Sequence, residues 1–161
     1  MHFIDLQAQY ARIADTVEQR VLKVLRSGQY ILGPEVTELE TRLAQFTDVR
    51  HCVSCASGTD ALQIALMAQG VGPGDAVFVP TFTFVATAEV VALVGATPIF
   101  VDIDPLSFNL NPDALERAVQ AVLSKDAASH VLPRNGMNLR PRGIIPVDLF
   151  GQPADYARIN A

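Results

Sequence analysis

The sequence predicts an α/β fold, a mostly parallel sheet with helices on both faces. Three observations predict it. From residue 50 onward, short apolar runs alternate with longer helical patterns. The short runs are continuously apolar, as strands buried on both faces read, where a half-exposed strand would alternate. The helical patterns "TDALQIALMAQGV" and "FVATAEVVALVGA" are apolar on nearly every side, so they are expected to be buried against the sheet.

The elements follow in order. Leu6, Tyr10, Ile13, Val17, Val21 and Val24 recur every three or four positions, which predicts one amphipathic helix over residues 6–28 with Gly28 as its stop. "GQYILGP" leads to a second helix, with Pro34 in its first turn and a stripe of Val36, Leu39, Leu43 and Phe46. "HCVSCAS" reads as a first strand, then "TDALQIALMAQGV" as a helix and "GPGD" as a turn. "AVFVPT" is a second strand, "FVATAEVVALVGA" a helix ending at Gly95, and "TPIFVDID" a third strand. Asn111 can cap the helix "NPDALERAVQAVL", with Pro112 at its first position. "GIIPVDLFG" is a fourth strand, and "PADYARINA" begins a helix. Residues 123–143, "LSKDAASHVLPRNGMNLRPRG", are basic, rich in turn formers and long for a helix-to-strand connection. They read as an exposed loop, with a functional lid as the alternative. The chain thus divides into an N-terminal helical segment, 1–49, and an α/β domain, 50–161.

Totals narrow the function classes. A chain of 161 residues, half of them hydrophobic, supports one well-buried domain. A net charge of −5 argues against nucleic acid as a partner. The opening "MHFIDLQAQY" has neither the basic start nor the apolar core of a secretory signal. No run is long enough to span a membrane, and the most apolar one carries Glu89. Two cysteines without an export signal predict a reducing, cytoplasmic setting.

Two kinds of chemistry meet in "HCVSCASGTDALQIAL", residues 51–66. Cys52 and Cys55 form a C-x-x-C pair beside His51, but a structural zinc needs four ligands and no second cysteine pair exists. A redox pair at the strand-to-helix junction is the other sulfur reading. The bland reading makes both cysteines small buried hydrophobes. Next to them stand Ser57, Gly58, Thr59 and Asp60 at the mouth of a helix. Unpaired N–H groups, a glycine that admits close approach and two hydroxyls are the parts of a phosphate cradle. The bland reading is an ordinary N-cap by Ser57 or Thr59 with Asp60 favouring the dipole. In a parallel sheet ligands bind beyond the carboxyl ends of the strands, which selects loops 54–60, 80–85, 102–108 and 149–153. Phe82 and Phe84 fall in the second of these, offering either a stacking face for a flat ring or core packing.

"SGTDAL", "PTFTFVATAEVV", "GATPIFVDID" and "IIPVDLFGQPAD", with "FIDLQAQY" and "GQYILGPEVTELE" before them, resemble the DegT/StrS type of sugar aminotransferase. The resemblance implies the large domain of a fold-type I, pyridoxal-phosphate-dependent transferase. It is nearest to the subgroup acting on nucleotide-linked 3-keto sugars such as UDP-2-acetamido-3-keto-glucuronate, for cell-surface polysaccharide synthesis. It implies cofactor-phosphate contacts from Gly58 and Thr59 with help from Ser57, and stacking of Phe84 on the pyridine ring. Tyr30, Thr81 and Phe82 match the neighbourhood of the sugar pocket. Glutamate is the implied amino donor and a homodimer the implied assembly. The family also needs a Schiff-base lysine and an aspartate on the pyridine nitrogen. Lys23 and Lys125 are the two lysines of the chain, and neither stands in a matching context; both groups are expected beyond residue 161, so the chain alone is expected to be inactive. Asp102, Asp104 and Asp148 end strands and are expected near the site without matching the pyridine partner. No metal is expected. The alternatives from other classes are a non-catalytic phosphate-binding module and a C-x-x-C redox protein.

Overall fold

The computed structural model describes residues 4–133 and 138–161. His2 and part of the 123–143 segment lie outside the described residues. The chain forms two compact units, one ending at Ser54 and one spanning Cys55–Ala161.

The first unit is helical. Helix α1 covers Leu6–Ala11, capped by Asp5, whose carboxylate accepts from the Ala8 N–H at 2.9 Å. Helix α2 covers Ala14–Ser27 and ends at Gly28, whose φ of 69° is the left-handed stop the sequence predicts. The single helix expected over 6–28 is broken at Arg12–Ile13. There the Ile13 N–H bonds three residues back to Tyr10, which tightens the turn and ends α1. The Tyr10 hydroxyl then donates across the break to Glu18 at 2.5 Å. Helix α3 covers Pro34–Phe46 with Pro34 at its start, as expected. Lys23 pairs with Glu35 at 3.0 Å and Arg20 with Glu38 at 3.4 Å, tying α2 to α3 through exposed ion pairs of small worth.

The second unit is the α/β part. Helix α4 covers Gly58–Ala68, strand β1 Asp75–Pro80, helix α5 Ala86–Leu93 and strand β2 Thr97–Val101. Helix α6 covers Pro112–Ser124, strand β3 Arg140–Ile144, a single 3-10 turn Leu149–Gly151 and the short helix α7 Tyr156–Ile159. The sheet is parallel with order β2-β1-β3. Every residue of β1 is buried, as its continuous apolar run predicts. Ala76 and Phe78 point to one face and join Ile99, Val101, Leu110, Leu115 and Val122 under α6. Val77 and Val79 point to the other and join Leu66, Val90 and Val91 under α4 and α5. The period of two along β1 thus builds two cores, and helices cover both faces as the sequence requires.

Three expectations are corrected. "HCVSCAS" is not a strand: residues 51–55 take no regular structure. A strand exists only where a neighbour takes its N–H and C=O groups, and no described strand pairs with this run. The fourth predicted strand lies earlier than "GIIPVDLFG", at Arg140–Ile144, so the end of the 123–143 loop is sheet. Pro146 has no N–H for the ladder, and the pairing ends with the Ile145 N–H on Phe78 at 2.9 Å. Helix α4 is not buried all round: Leu66 is buried, whereas Ile64 and Met67 stay 50% and 62% exposed. One of its faces packs on α5 and the sheet, and among the described residues no element of this unit covers the opposite face.

Asp75, at the start of β1, is 2% exposed and accepts from the Gly72 N–H at 3.0 Å and from Arg140 at 2.7 and 3.1 Å. The Gly72 N–H, then Arg140, hold its carboxyl below the ordinary range against the opposing effect of burial. A depressed carboxylate contributes stability above its unfolded pKa and loses it as pH falls through the folded value. Asp75→Asn is therefore expected to be less stable than wild type at neutral pH and to lose less on acidification. Urea unfolding at a series of pH values checks this, and parallel stability curves for the two proteins would contradict it.

Candidate functional site

Residues 69–74 form a tight connection between α4 and β1, and Leu62 and Leu66 pack against Val77 and Val79. Helix α4 therefore runs back along the sheet and presents its N-terminus toward the carboxyl end of β1. Ser57 is the N-cap: its Oγ accepts from the Asp60 N–H at 3.1 Å and donates to the Asp60 carboxylate at 2.8 Å. The capping role weighed in the sequence is thus the one its hydroxyl performs. Gly58 and Thr59 are the first two helical residues, where the helix supplies no partner for N–H groups. A Cβ at Gly58 would meet nothing within 4 Å outside its own helix turn, so the space beside this turn is open. An opening lined by two free N–H groups at a positive helix end suits an anion. Thr59 is half-buried beside them. The Asp60 carboxylate is the opposing charge in this turn, and it is held by Ser57.

The loop after β1 carries the predicted aromatics. The Thr81 N–H bonds the Val101 carbonyl at 2.9 Å, which fixes the loop to the end of β2. Phe82 is half exposed and meets the Phe108 ring at 5.8 Å between centroids, tilted by 46°. Phe84 is 74% exposed at the start of α5. Core packing, the bland reading of Phe82 and Phe84, is not what the structure shows.

The three aspartates that end strands play local parts. The Asp104 carboxylate accepts from the Ser107 N–H at 2.8 Å, the Leu106 N–H at 3.0 Å and the Ser107 hydroxyl at 3.1 Å. These bonds, the Ser107 and Leu106 N–H groups first, lower its pKa while burial opposes them. Asp148 accepts from the Ala154 N–H at 2.9 Å and from the Tyr156 hydroxyl at 3.0 Å, and that bond raises the tyrosine's pKa. Asp102 is exposed and shares a groove with Arg117 and residues 129–133, which lie along β2. Sequence reasoning missed Asn109, buried after β2 and bonded to the loop after β3. In the sequence Asn109 stands between Phe108 and Leu110 in a run that also carries Ser107 and Asn111, so nothing sets it apart.

Tyr30 belongs to the first unit, 64% exposed, its hydroxyl donating to the Leu25 carbonyl at 3.0 Å. Lys23, in the same unit, is paired with Glu35. Lys125 caps α6 in the left-handed conformation, with φ of 56°. Both cysteines are free. Buried packing does not describe Cys55, which is exposed and donates its thiol to the Ser57 carbonyl at 3.3 Å; Cys52 is half-buried. Among the described residues no group of His, Cys, Asp and Glu side chains is arranged to hold a metal, and no helix is long and apolar enough to cross a membrane.

The chain is similar over its whole length to known proteins. A family model for the DegT/DnrJ/EryC1/StrS aminotransferases matches residues 11–161. A UDP-2-acetamido-2-deoxy-3-oxo-D-glucuronate aminotransferase of Pseudomonas aeruginosa is 54% identical over 161 residues, covering 100% of this chain and 40% of that protein. The crystal structure of a DegT/DnrJ/EryC1/StrS aminotransferase from Brucella abortus superposes with a TM-score of 0.88 at 53% identity, over 99% of this chain and 40% of that one. The PLP-form of the sugar aminotransferase Spr1654 from Streptococcus pneumoniae gives 0.71 at 35% identity, over 88% of this chain and 32% of that one. The chain thus spans about two fifths of the length of the first two of these relatives. Family model, identity and superposition agree with one another, and the chain belongs to the DegT/DnrJ/EryC1/StrS aminotransferase family.

Proposed function

We propose that this chain supplies the cofactor-phosphate side of an aminotransferase that moves an amino group from glutamate to a nucleotide-linked 3-keto sugar. The observation that carries the reading is the open N–H pair of Gly58 and Thr59 at the start of α4. Identity of 54% to two fifths of a UDP-2-acetamido-2-deoxy-3-oxo-D-glucuronate aminotransferase supports it and favours a UDP-linked 3-oxo uronate as the acceptor. Pyridoxal 5′-phosphate, when bound, supplies an electron sink for moving nitrogen between two carbon skeletons. The chain's own residues bind and orient. The Gly58 N–H and the Thr59 N–H and hydroxyl hold the phosphate. Ser57 keeps that turn in shape by capping it and by engaging the Asp60 carboxylate. Phe84 offers an exposed flat face for the pyridine ring. Thr81 and Phe82 contribute to the sugar side. The reading includes a homodimer and a role in cell-surface polysaccharide synthesis.

Lys23 stands in an exposed ion pair of the first unit and Lys125 ends α6 through its backbone. In this reading neither is the lysine that the chemistry requires, because neither stands in a sequence context like the family's. The purified chain, given pyridoxal phosphate, glutamate and a nucleotide-linked 3-keto sugar, is expected to transfer no nitrogen. It is also expected to yield no site-specific adduct on borohydride reduction. Mass spectrometry of the protein and chromatography of the sugar check both, and turnover by the chain alone would overturn the assignment of catalysis to residues outside it.

A further inference from the structure

Asn109 is 4% exposed, and its amide is fully engaged by one other loop. Its Nδ2 donates to the carbonyls of Gln152 at 2.9 Å and Pro153 at 3.1 Å, and its Oδ1 accepts from the Leu149 N–H at 3.2 Å. Both loops so joined are backbone-strained. Phe108 and Phe150 have φ of 61° and 57°, a region that bulky residues avoid. Such conformations persist where their surroundings over-determine them. Phe108 is fixed by its N–H on the Asp104 carbonyl at 2.8 Å, and the Asp104 N–H returns to the Asn109 carbonyl at 2.9 Å. On its other side the Phe108 ring meets Phe82. One unbroken series of contacts therefore crosses the carboxyl ends of all three strands: Phe82 after β1, Phe108 and Asn109 after β2, and Leu149–Pro153 after β3.

We infer that Asn109 is a positioning residue that holds the 149–153 loop over the carboxyl edge of the sheet as one wall of the ligand site. This rests on the functional reading above, which puts the cofactor at that edge. A side chain needed only to fill volume would not be an amide with three bonds to one loop. Leucine would fill the same space and leave the Leu149 N–H and two carbonyls without partners.

The test uses the full chain with pyridoxal 5′-phosphate as probe and the variants Asn109→Leu and Asn109→Asp. In Asn109→Leu the amide resonances of Leu149 and Ala154 are expected to move while those of Val77 and Val90 in the core stay, with probe affinity about tenfold weaker. Asn109→Asp keeps the acceptor but sets a carboxylate against two carbonyls, beside loops that also carry Asp104 and Asp148. Protonation restores a donor. Its Leu149 resonance and probe affinity are therefore expected to approach wild type at acid pH and to depart from it as pH rises, with wild type as the reference at each pH. A merely structural residue lowers the melting temperature and gives no such profile, so Asn109→Asp still decides the matter if Asn109→Leu does not fold. Loop resonances unmoved in Asn109→Leu, or an Asn109→Asp profile that tracks wild type, would overturn the inference. Failure of the wild-type chain to bind the probe would overturn the ligand wall along with the functional reading, while the resonances alone would still judge the loop contact.

Discussion

Phe78→Ala is expected to destabilise the second unit by about 3–5 kcal/mol. Phe78 is 1% exposed and is the largest fully buried side chain among the described residues, so the cavity left by truncation has no solvent-facing route for relief. It stands in the central strand, opposite Ile99 on one side by β1–β2 pairing and Ile144 on the other by β1–β3 pairing. The face it fills is closed by Leu115, Ala118 and Val122 of α6. A domain of this size has on the order of 5–15 kcal/mol of stability in total. The unit also leaves much of α4 uncovered, so the loss would bring it close to unfolding at room temperature. Urea denaturation followed by circular dichroism measures the change. A loss under about 1 kcal/mol, the scale of an ordinary substitution, would mean that α6 does not pack on the sheet as described.

Gly58→Val separates binding from stability. The backbone at Gly58 is helical, and a Cβ there meets nothing within 4 Å outside its own helix turn, so the variant is expected to fold. Glycine inside a helix costs roughly 0.5–1 kcal/mol relative to alanine, so the substitution leaves stability unchanged or slightly raised. The new side chain occupies the space through which a phosphate would reach the Gly58 and Thr59 N–H groups. Affinity for pyridoxal 5′-phosphate is expected to fall at least tenfold, about 1.4 kcal/mol, with no fall in melting temperature. Equal affinity in the two proteins would place the phosphate elsewhere.

Much of this architecture was legible in the sequence because single elements carry their own signals. The continuous apolar run of β1, the Asn111–Pro112 start of α6 and the Gly28 stop of α2 are local facts, and the structure keeps all three. What failed depended on partners. The run 51–55 has the composition of a strand, but pairing is a property of two segments, and no described strand lies beside it. The apolar surround of α4 describes a helix buried on every side, and the described residues of the second unit cover one face. Pro146, which has no N–H for the ladder, is a local stop for β3 set within apolar residues that extend the strand pattern past it.

At the site, the helix start was legible at the level of residue type, since Ser57, Gly58 and Thr59 are what an anion cradle needs. The division of labour among them was not: only geometry shows that the Ser57 hydroxyl is used by Asp60 while the turn in front of Gly58 is open. Asp104 and Asp148 were selected as strand-ending carboxylates, and their bonds turn inward to their own loops. Asn109 escaped because a lone amide announces nothing until the loop forty residues later is folded against it.

The proposed phosphate site at the α4 N-terminus is tested most directly by an amide resonance titration of the chain with pyridoxal 5′-phosphate, repeated with inorganic phosphate. Saturable shifts are expected at Gly58 and Thr59 in both titrations, with Phe84 responding to the cofactor alone. Shifts that saturate elsewhere while Gly58 and Thr59 stay still would contradict the proposed site.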